Sequence, residues 1–302
     1  MGTKRIGLAR VEALIENLKR EIDWGAGTDF KYSSNYDAAK GHERYFLETY
    51  FPKRPGLNAN LDAASTVEVA RALSHEFEVV GTNMTSALTT FSATYGGIKI
   101  TTAGTDNDQT TVTPHLDNAG TGQTDAISAW AGVQWGTENQ TEWACCITTD
   151  TITTVSYHAG LKLTNDPTVA TDDDQAYFLF ATDDDLGTLA DNANWHFVYS
   201  IGGTDYVTDL NIAVAADTTY KFKIAIDSDR KVSAFVNGTQ YNLNTTAAIG
   251  NVNTTDLGTG TTKSVALTDD IDFIPYIGLR VHAGSARSMR IHKQSISRIL
   301  FE

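Results

Sequence analysis

Proline and cysteine are both scarce in this chain of 302 residues, with five of the first and two of the second. Few prolines leave long stretches able to pair every backbone N–H in a sheet, because each proline removes one ladder hydrogen bond. The two cysteines, Cys145 and Cys146, are neighbours. On a strand they point to opposite faces, so a disulfide framework is excluded and they read as thiols of a reducing compartment. No apolar run is long enough to cross a bilayer, so no membrane partner is expected. Met1-Gly2-Thr3-Lys4-Arg5 is not followed by the apolar region of a secretory signal, and Ile6 stands where a myristoylation signal wants Ser or Thr. No repeat of fixed period is present.

Positive charge is also in short supply. The formal net charge is −14, which argues against a nucleic-acid partner, since phosphate binding needs clustered Lys and Arg. Residues 1–60 carry ten Lys/Arg against eight Asp/Glu, and the remainder carries 13 against 29. The first segment is therefore a different kind of surface.

Several chemical signatures are missing. There is no Gly-x-Ser-x-Gly and no glycine-rich phosphate loop; Gly202-Gly203 sits between strands. The seven histidines show no zinc spacing. A glycosidase of the β-sandwich type needs paired acids on a strand, close to Glu-x-Asp-x-Glu. Glu76 and Glu78 lack the third acid, and Glu138 and Glu142 border a loop. No catalytic residue and no enzyme activity is expected on these grounds. For calcium, the runs Asp172-Asp173-Asp174 and Asp183-Asp184-Asp185 can offer oxygen ligands, without the spacing of a defined loop. No other cofactor is expected.

What is present is alternation. In TYKFKIAIDSDRKVSAFVNGTQY, residues 219–241, Tyr220, Phe222, Ile224 and Ile226 alternate with Lys221, Lys223, Ala225 and Asp227, the period of a strand with one buried face. Asn237-Gly238 is a tight hairpin turn, so three antiparallel strands are expected here. Similar segments from Glu76 onward give about a dozen short strands with hairpin spacing, which points to a two-sheet sandwich over residues 76–302. Ahead of it, residues 3–23 read as a helix with Leu8, Val11, Ile15, Leu18 and Ile22 as a heptad seam. Trp24 ends it. Phe30, Tyr32, Tyr36, Tyr45, Phe46, Tyr50 and Phe51 then lie among basic residues, which suggests an extended arm completing a unit over 1–55 and burying its rings against a neighbour. Residues 56–75 read as a short helical linker. Near the end, Arg280/His282 and Arg290/His292 fall on the last two strands. Paired, these strands would present a basic stripe to another copy, with Asp269, Asp270 and Asp272 as internal competitors.

Trp195-His196-Phe197-Val198 with Gly202-Gly203, then Tyr220–Ile224, Phe235-Val236-Asn237-Gly238 and Ile274–Leu279 together resemble the concanavalin A-like lectin/glucanase jelly roll. The opening MGTKRIGLARVEALIENLKREI, Tyr95-Gly96-Gly97 and Gly160–Leu163 are similar to virion structural proteins of tailed phages, cyanophages in particular. The resemblance implies an all-β jelly roll behind an N-terminal helix and arm. It also implies a non-enzymatic, oligomeric capsid decoration protein of the virion surface, docking on the major capsid protein or another virion protein. The alternative is a host-attachment lectin that stacks sugar on Trp130, Trp135, Trp143 or Trp195, with a glycan as partner.

Overall fold

The computed structural model describes residues 44–52, 54–58, 77–83, 85–92, 96–114, 135–163, 172–182, 193–247 and 257–299. The expected helix with its heptad seam, Trp24, Phe30, Tyr32 and Tyr36 lie outside these residues, as do Trp130 and the run Asp183–Asp185. In chain order the strands are β1 (Arg44–Thr49), β2 (Gly56–Asn58), β3 (Phe77–Gly81), β4 (Thr89–Phe91), β5 (Ile98–Thr101) and β6 (Gln109–Pro114). Next come β7 (Trp135–Gly136), β8 (Glu142–Thr149), β9 (Val155–Lys162), β10 (Gln175–Ala181), β11 (Asn194–Ile201) and β12 (Thr204–Ala213). The chain continues through β13 (Thr219–Ile226), β14 (Val232–Val236), β15 (Thr239–Tyr241), β16 (Asp272–Val281) and β17 (Ser288–Ile299).

They form the two layers of a jelly-roll sandwich. Sheet A has eight strands, ordered β15-β14-β13-β8-β17-β5-β4, with β1 also on β17; sheet B has nine, ordered β12-β11-β10-β9-β16-β6-β3-β2, with β7 on β16. Among the described residues every pairing is antiparallel except β2 with β3. The expected meander is β13-β14-β15, and its turn has Asn237 at φ 51° and Gly238 at φ 87°, the positive angles that let a two-residue turn follow the strand twist. Tyr220, Phe222, Ile224 and Ile226 enter the core, while Lys221 is exposed.

Between the sheets, aromatic rings interlock. Phe178 of sheet B stacks on Phe222 of sheet A with centroids 4.4 Å apart, and Trp195 meets Phe222 edge-on at 4.8 Å. Trp135, Trp143 and Trp195 are all buried in this core. None of the three is a surface platform for sugar.

The arm is where expectation and structure part. Residues 44–49 are a strand of sheet A, with Arg44 opposite Ile299 and Thr49 opposite Gln294. Phe51 is 1% exposed and packs on Phe77 at 6.1 Å. Tyr45 and Tyr50 remain exposed, Tyr45 beside Trp135 at 5.8 Å and Tyr50 under the Lys293 ammonium at 5.3 Å. The sandwich thus reaches back to Arg44, because the long β17 needs a partner beyond the point where β5 stops pairing with it. Phe51→Ala is expected to cost about 3–5 kcal/mol, as for other buried aromatic truncations, and removal of residues 1–55 to cost more. Urea unfolding checks both; a truncated chain with the full-length midpoint would show that β1 is dispensable to the sandwich.

Candidate functional site

Strands exposed on one side alternate buried and open residues, but β9, β10 and β11 are buried along nearly their whole length. Val155, Tyr157, Ala159 and Leu161 of β9 face the core. The residues between them, Ser156, His158, Gly160 and Lys162, project to the outer face of sheet B by the period of two, and they are buried as well. That outer face has two halves. Tyr177, Leu179, Ala181, Val198 and Val207 form an apolar cluster of their own. Beside it, the strand register places Thr111, Gly278, His158, Leu179 and His196 in one row, and Ile274, Lys162, Gln175 and Ser200 in another.

The polar half centres on Tyr276. The imidazole of His158 stacks on its ring at 4.9 Å with an interplanar angle of 24°. Lys162 Nζ lies 4.7 Å from the ring centroid, and Thr111 Oγ1 donates to the phenol oxygen at 3.3 Å. Lys162 also pairs with Asp172 at 3.7 Å, and Asp172 accepts the Leu163 N–H. Gly278 makes room for this group. A Cβ there would lie 2.7 Å from His158 Nε2, 2.7 Å from Thr111 Oγ1 and 2.8 Å from the Thr110 carbonyl. Around the centre, Gln175 Nε2 donates to Ser200 Oγ, Ser200 Oγ to Asp205, and Asn194 Nδ2 to Asp209. Four chemical types thus meet within one patch: an imidazole, a phenol, an ammonium and neutral hydrogen-bonding groups.

The anticipated basic stripe does not form. Arg280 and His282 belong to or follow β16 in sheet B, and Arg290 and His292 belong to β17 in sheet A. The chain crosses from one sheet to the other between β16 and β17, so the two pairs never share a face. Arg290 is held by Asp150 at 3.3 Å and Asp217 at 3.4 Å, and Arg280 donates to Asn107. Of the expected acidic competitors, Asp269 pairs with Arg230 at 3.2 Å. The run Asp172–Asp174 serves internal bonds: Asp172 as above, and Asp174 as acceptor from Gly202 N and Thr268 Oγ1. Another acidic group, Glu138 with Asp269 and Asp270, brings its carboxylate oxygens within 4.8 Å of one another. Glu138 is partly desolvated, but bonds from the Thr137 hydroxyl and the Asp270 N–H outweigh this and hold it below the usual carboxylate range. Asp272 moves up, through burial and the neighbouring Glu138 and Asp270 charges, against the pull of Arg298. Burial pushes up the thiol of Cys145 in the core; Cys146, on the other face of β8, is half-buried.

Fold and layering define a concanavalin A-like jelly-roll sandwich with a buried polar group on the outer face of one sheet. No family model matches the chain, and no curated protein matches its sequence. Among solved structures, it is similar to a protein of unknown function from Shewanella oneidensis, at 10% identity over 99% of this chain and 97% of that one, TM-score 0.49. It is also similar to a family 7 alginate lyase, at 12% identity over 71% and 85%, TM-score 0.43. A third is a Bacillus licheniformis β-glucanase, at 12% identity over 70% and 82%, TM-score 0.39. These likenesses concern the fold.

The expectation of a capsid decoration protein, with an attachment lectin as its alternative, is overturned. The neighbours with a stated activity are a lyase and a glucanase. In the chain itself, residues 44–51 of the segment expected to dock, 1–55, are built into the sandwich. Three of the four tryptophans meant to stack on sugar fill the core. The fold by itself gives no ground for excluding catalysis. The sequence search for paired acids looked past His158 and Tyr276 because they sit in strands that read as apolar. The signal was His158 and Lys162 on the same face of a fully buried β9, with a glycine at 278.

Two outcomes follow. Gly278→Ala is expected to cost about 1–3 kcal/mol by overpacking and to displace the His158 ring, readable in denaturant unfolding and in the His158 NMR signals. Asp150 is partly buried, which raises its pKa, but the Ser288 hydroxyl and the Lys99 and Arg290 charges overcome this and leave it below the ordinary value. A depressed carboxylate stabilises the fold above its unfolded pKa of about 3.9, and that contribution fades as pH falls through the folded value. Asp150→Asn is therefore expected to lower the urea midpoint at pH 7, with the deficit shrinking below about pH 4.

Proposed function

We propose that this sandwich is a carbohydrate-active protein whose working surface is the polar half of the outer face of sheet B, centred on His158, Tyr276 and Lys162. The observation that carries this is the stack of His158 on Tyr276 with the Lys162 ammonium over the same ring. A sheet face offers successive rows of side chains, with strands about 4.8 Å apart, so a linear chain can lie across it. Thr111, Gln175 and Ser200 supply donors and acceptors for hydroxyl groups, and the Tyr276 ring supplies an apolar face.

The trio fits proton transfer better than displacement by two carboxylates. Retaining or inverting hydrolysis needs two acids flanking the bond, and the centre of this patch has an imidazole and a phenol instead. The matching reaction class is β-elimination on a uronate-containing chain. The imidazole accepts the proton beside the carboxylate, a carbon–carbon double bond forms, the glycosidic C–O bond breaks, and the phenol protonates the leaving oxygen. Lys162 faces the negative charge that develops. His158 and Tyr276 are 1% exposed, so a substrate reaches them only after local rearrangement, and slow association is expected.

The test is incubation with a panel of uronate-containing and neutral polysaccharides, following binding and the ultraviolet absorbance of an unsaturated product. Saturable binding and product formation on an acidic chain are expected, with His158→Ala and Tyr276→Phe each lowering turnover by about 100-fold or more while the chain stays folded. Absence of binding and product across the panel, or variants as active as the parent, would make the cluster a packing device only.

A further inference from the structure

The outer face of sheet A carries a groove that the reaction at sheet B does not use. It has a volume of ≈ 620 Å³, within the range of small-ligand pockets. Its origin is a size pattern. The register sets Lys223 beside Ala144 and Ser295, and Lys221 beside Cys146 and Lys293. Small side chains on β8 thus make a floor between long lysines on β13 and β17. Phe235 and Tyr50 close it with aromatic rings, and Tyr50 is 55% exposed.

The three ammonium groups are not equivalent. Lys223 pairs with Glu142 at 2.8 Å and lies 5.8 Å from the Phe235 ring centroid. Lys293 pairs with Glu48 and lies over Tyr50. Burial opposes its charge, but the Glu48 carboxylate outweighs that and holds its pKa above the usual value. Lys221 is exposed and makes no ion pair among the described residues. Its backbone is fixed by Asn237, whose N–H donates to the Lys221 carbonyl at 2.8 Å and whose side-chain oxygen accepts the Lys221 N–H at 3.0 Å. The hairpin turn therefore sets one uncompensated cation at the rim of a groove with aromatic walls, on a chain whose net charge is −14.

We infer that this groove is a binding site for a ring-bearing carboxylate, with Lys221 taking the carboxylate and Phe235 and Tyr50 taking the ring. A sugar acid and an aromatic acid share this chemistry. The site lies on the opposite sheet from His158, so it stands or falls separately from the function proposed above.

Titration of the full chain with sodium glucuronate and with sodium benzoate, read by NMR, tells the two sources apart; glucose and acetate are the controls for ring alone and charge alone. Saturable shifts at Lys221, Cys146 and Phe235 are expected with at least one ring acid, about fivefold tighter than with either control. Lys221→Ala should weaken that binding at least fivefold, Lys221→Arg should retain most of it, and His158→Ala should leave it unchanged. The groove also has a built-in reporter, because the Cys146 thiol is half-buried at its floor while the Cys145 side chain packs in the core. Its reaction with a thiol reagent should slow in the presence of the bound acid. Equal binding of acetate and ring acid, unchanged binding in Lys221→Ala, or no saturation with any of the four compounds would each overturn the inference.

Discussion

A strand buried on both faces has to satisfy two packing problems with one alternating sequence, and sheet B is built almost entirely of such strands. On the core side, β9, β10 and β11 answer with rings: Tyr157, Phe178, Phe180, Trp195, Phe197 and Tyr199. On the outer side an apolar cluster of Tyr177, Leu179, Ala181, Val198 and Val207 lies beside polar groups drawn from β9, β10, β11 and β16. A buried polar half is stable only where its groups are partnered. Here the partnering is aromatic and cationic as much as hydrogen-bonded, with Tyr276 touched by His158, Lys162 and Thr111. Gly278 leaves the space that lets His158 and Thr111 approach across β16. The β9–β16 pairing is thus the constraint on which the candidate site depends.

The outer face of sheet A follows a different logic. Its charges neutralise one another in short runs: Lys99 and Arg290 on Asp150, Lys293 on Glu48, Lys223 on Glu142. Partly exposed pairs of this kind contribute little to stability, so their arrangement matters more for what it leaves over. Lys221 is what remains, and the hairpin that follows β13 holds it in place. The meander supplies scaffold on its core side and a binding edge on the other.

Much of this fold was legible from alternation. Tyr220 to Ile226 gave the facing of β13, and Asn237-Gly238 its turn, because these are local properties of strand and dihedral preference. Strand partners were not legible. Period two says which side chains share a face of one strand and nothing about which sheet the strand joins, so Arg280 and Arg290 were set side by side when β16 and β17 lie in opposite layers. The segment Tyr45 to Phe51 was read as an arm because its rings lack period. In the structure, the strand ends at Thr49 and the chain turns at Phe51, at φ 52°, into the core. The candidate site was hidden for a related reason. A strand buried on both faces reads as a plain apolar run, and the meaning of His158 appears only when Tyr276 and Gly278, more than a hundred residues away, are brought beside it.

The most direct test of the central claim, that the polar half of sheet B is the working surface, is NMR of the His158 ring and the Tyr276 phenol during addition of short uronate oligosaccharides. The account requires both sets of signals to shift together and saturate at one ligand concentration, with smaller changes at His196 in the same row. Perturbations confined to the Lys221 groove, or His158 and Tyr276 signals unmoved at saturating oligosaccharide, would contradict it.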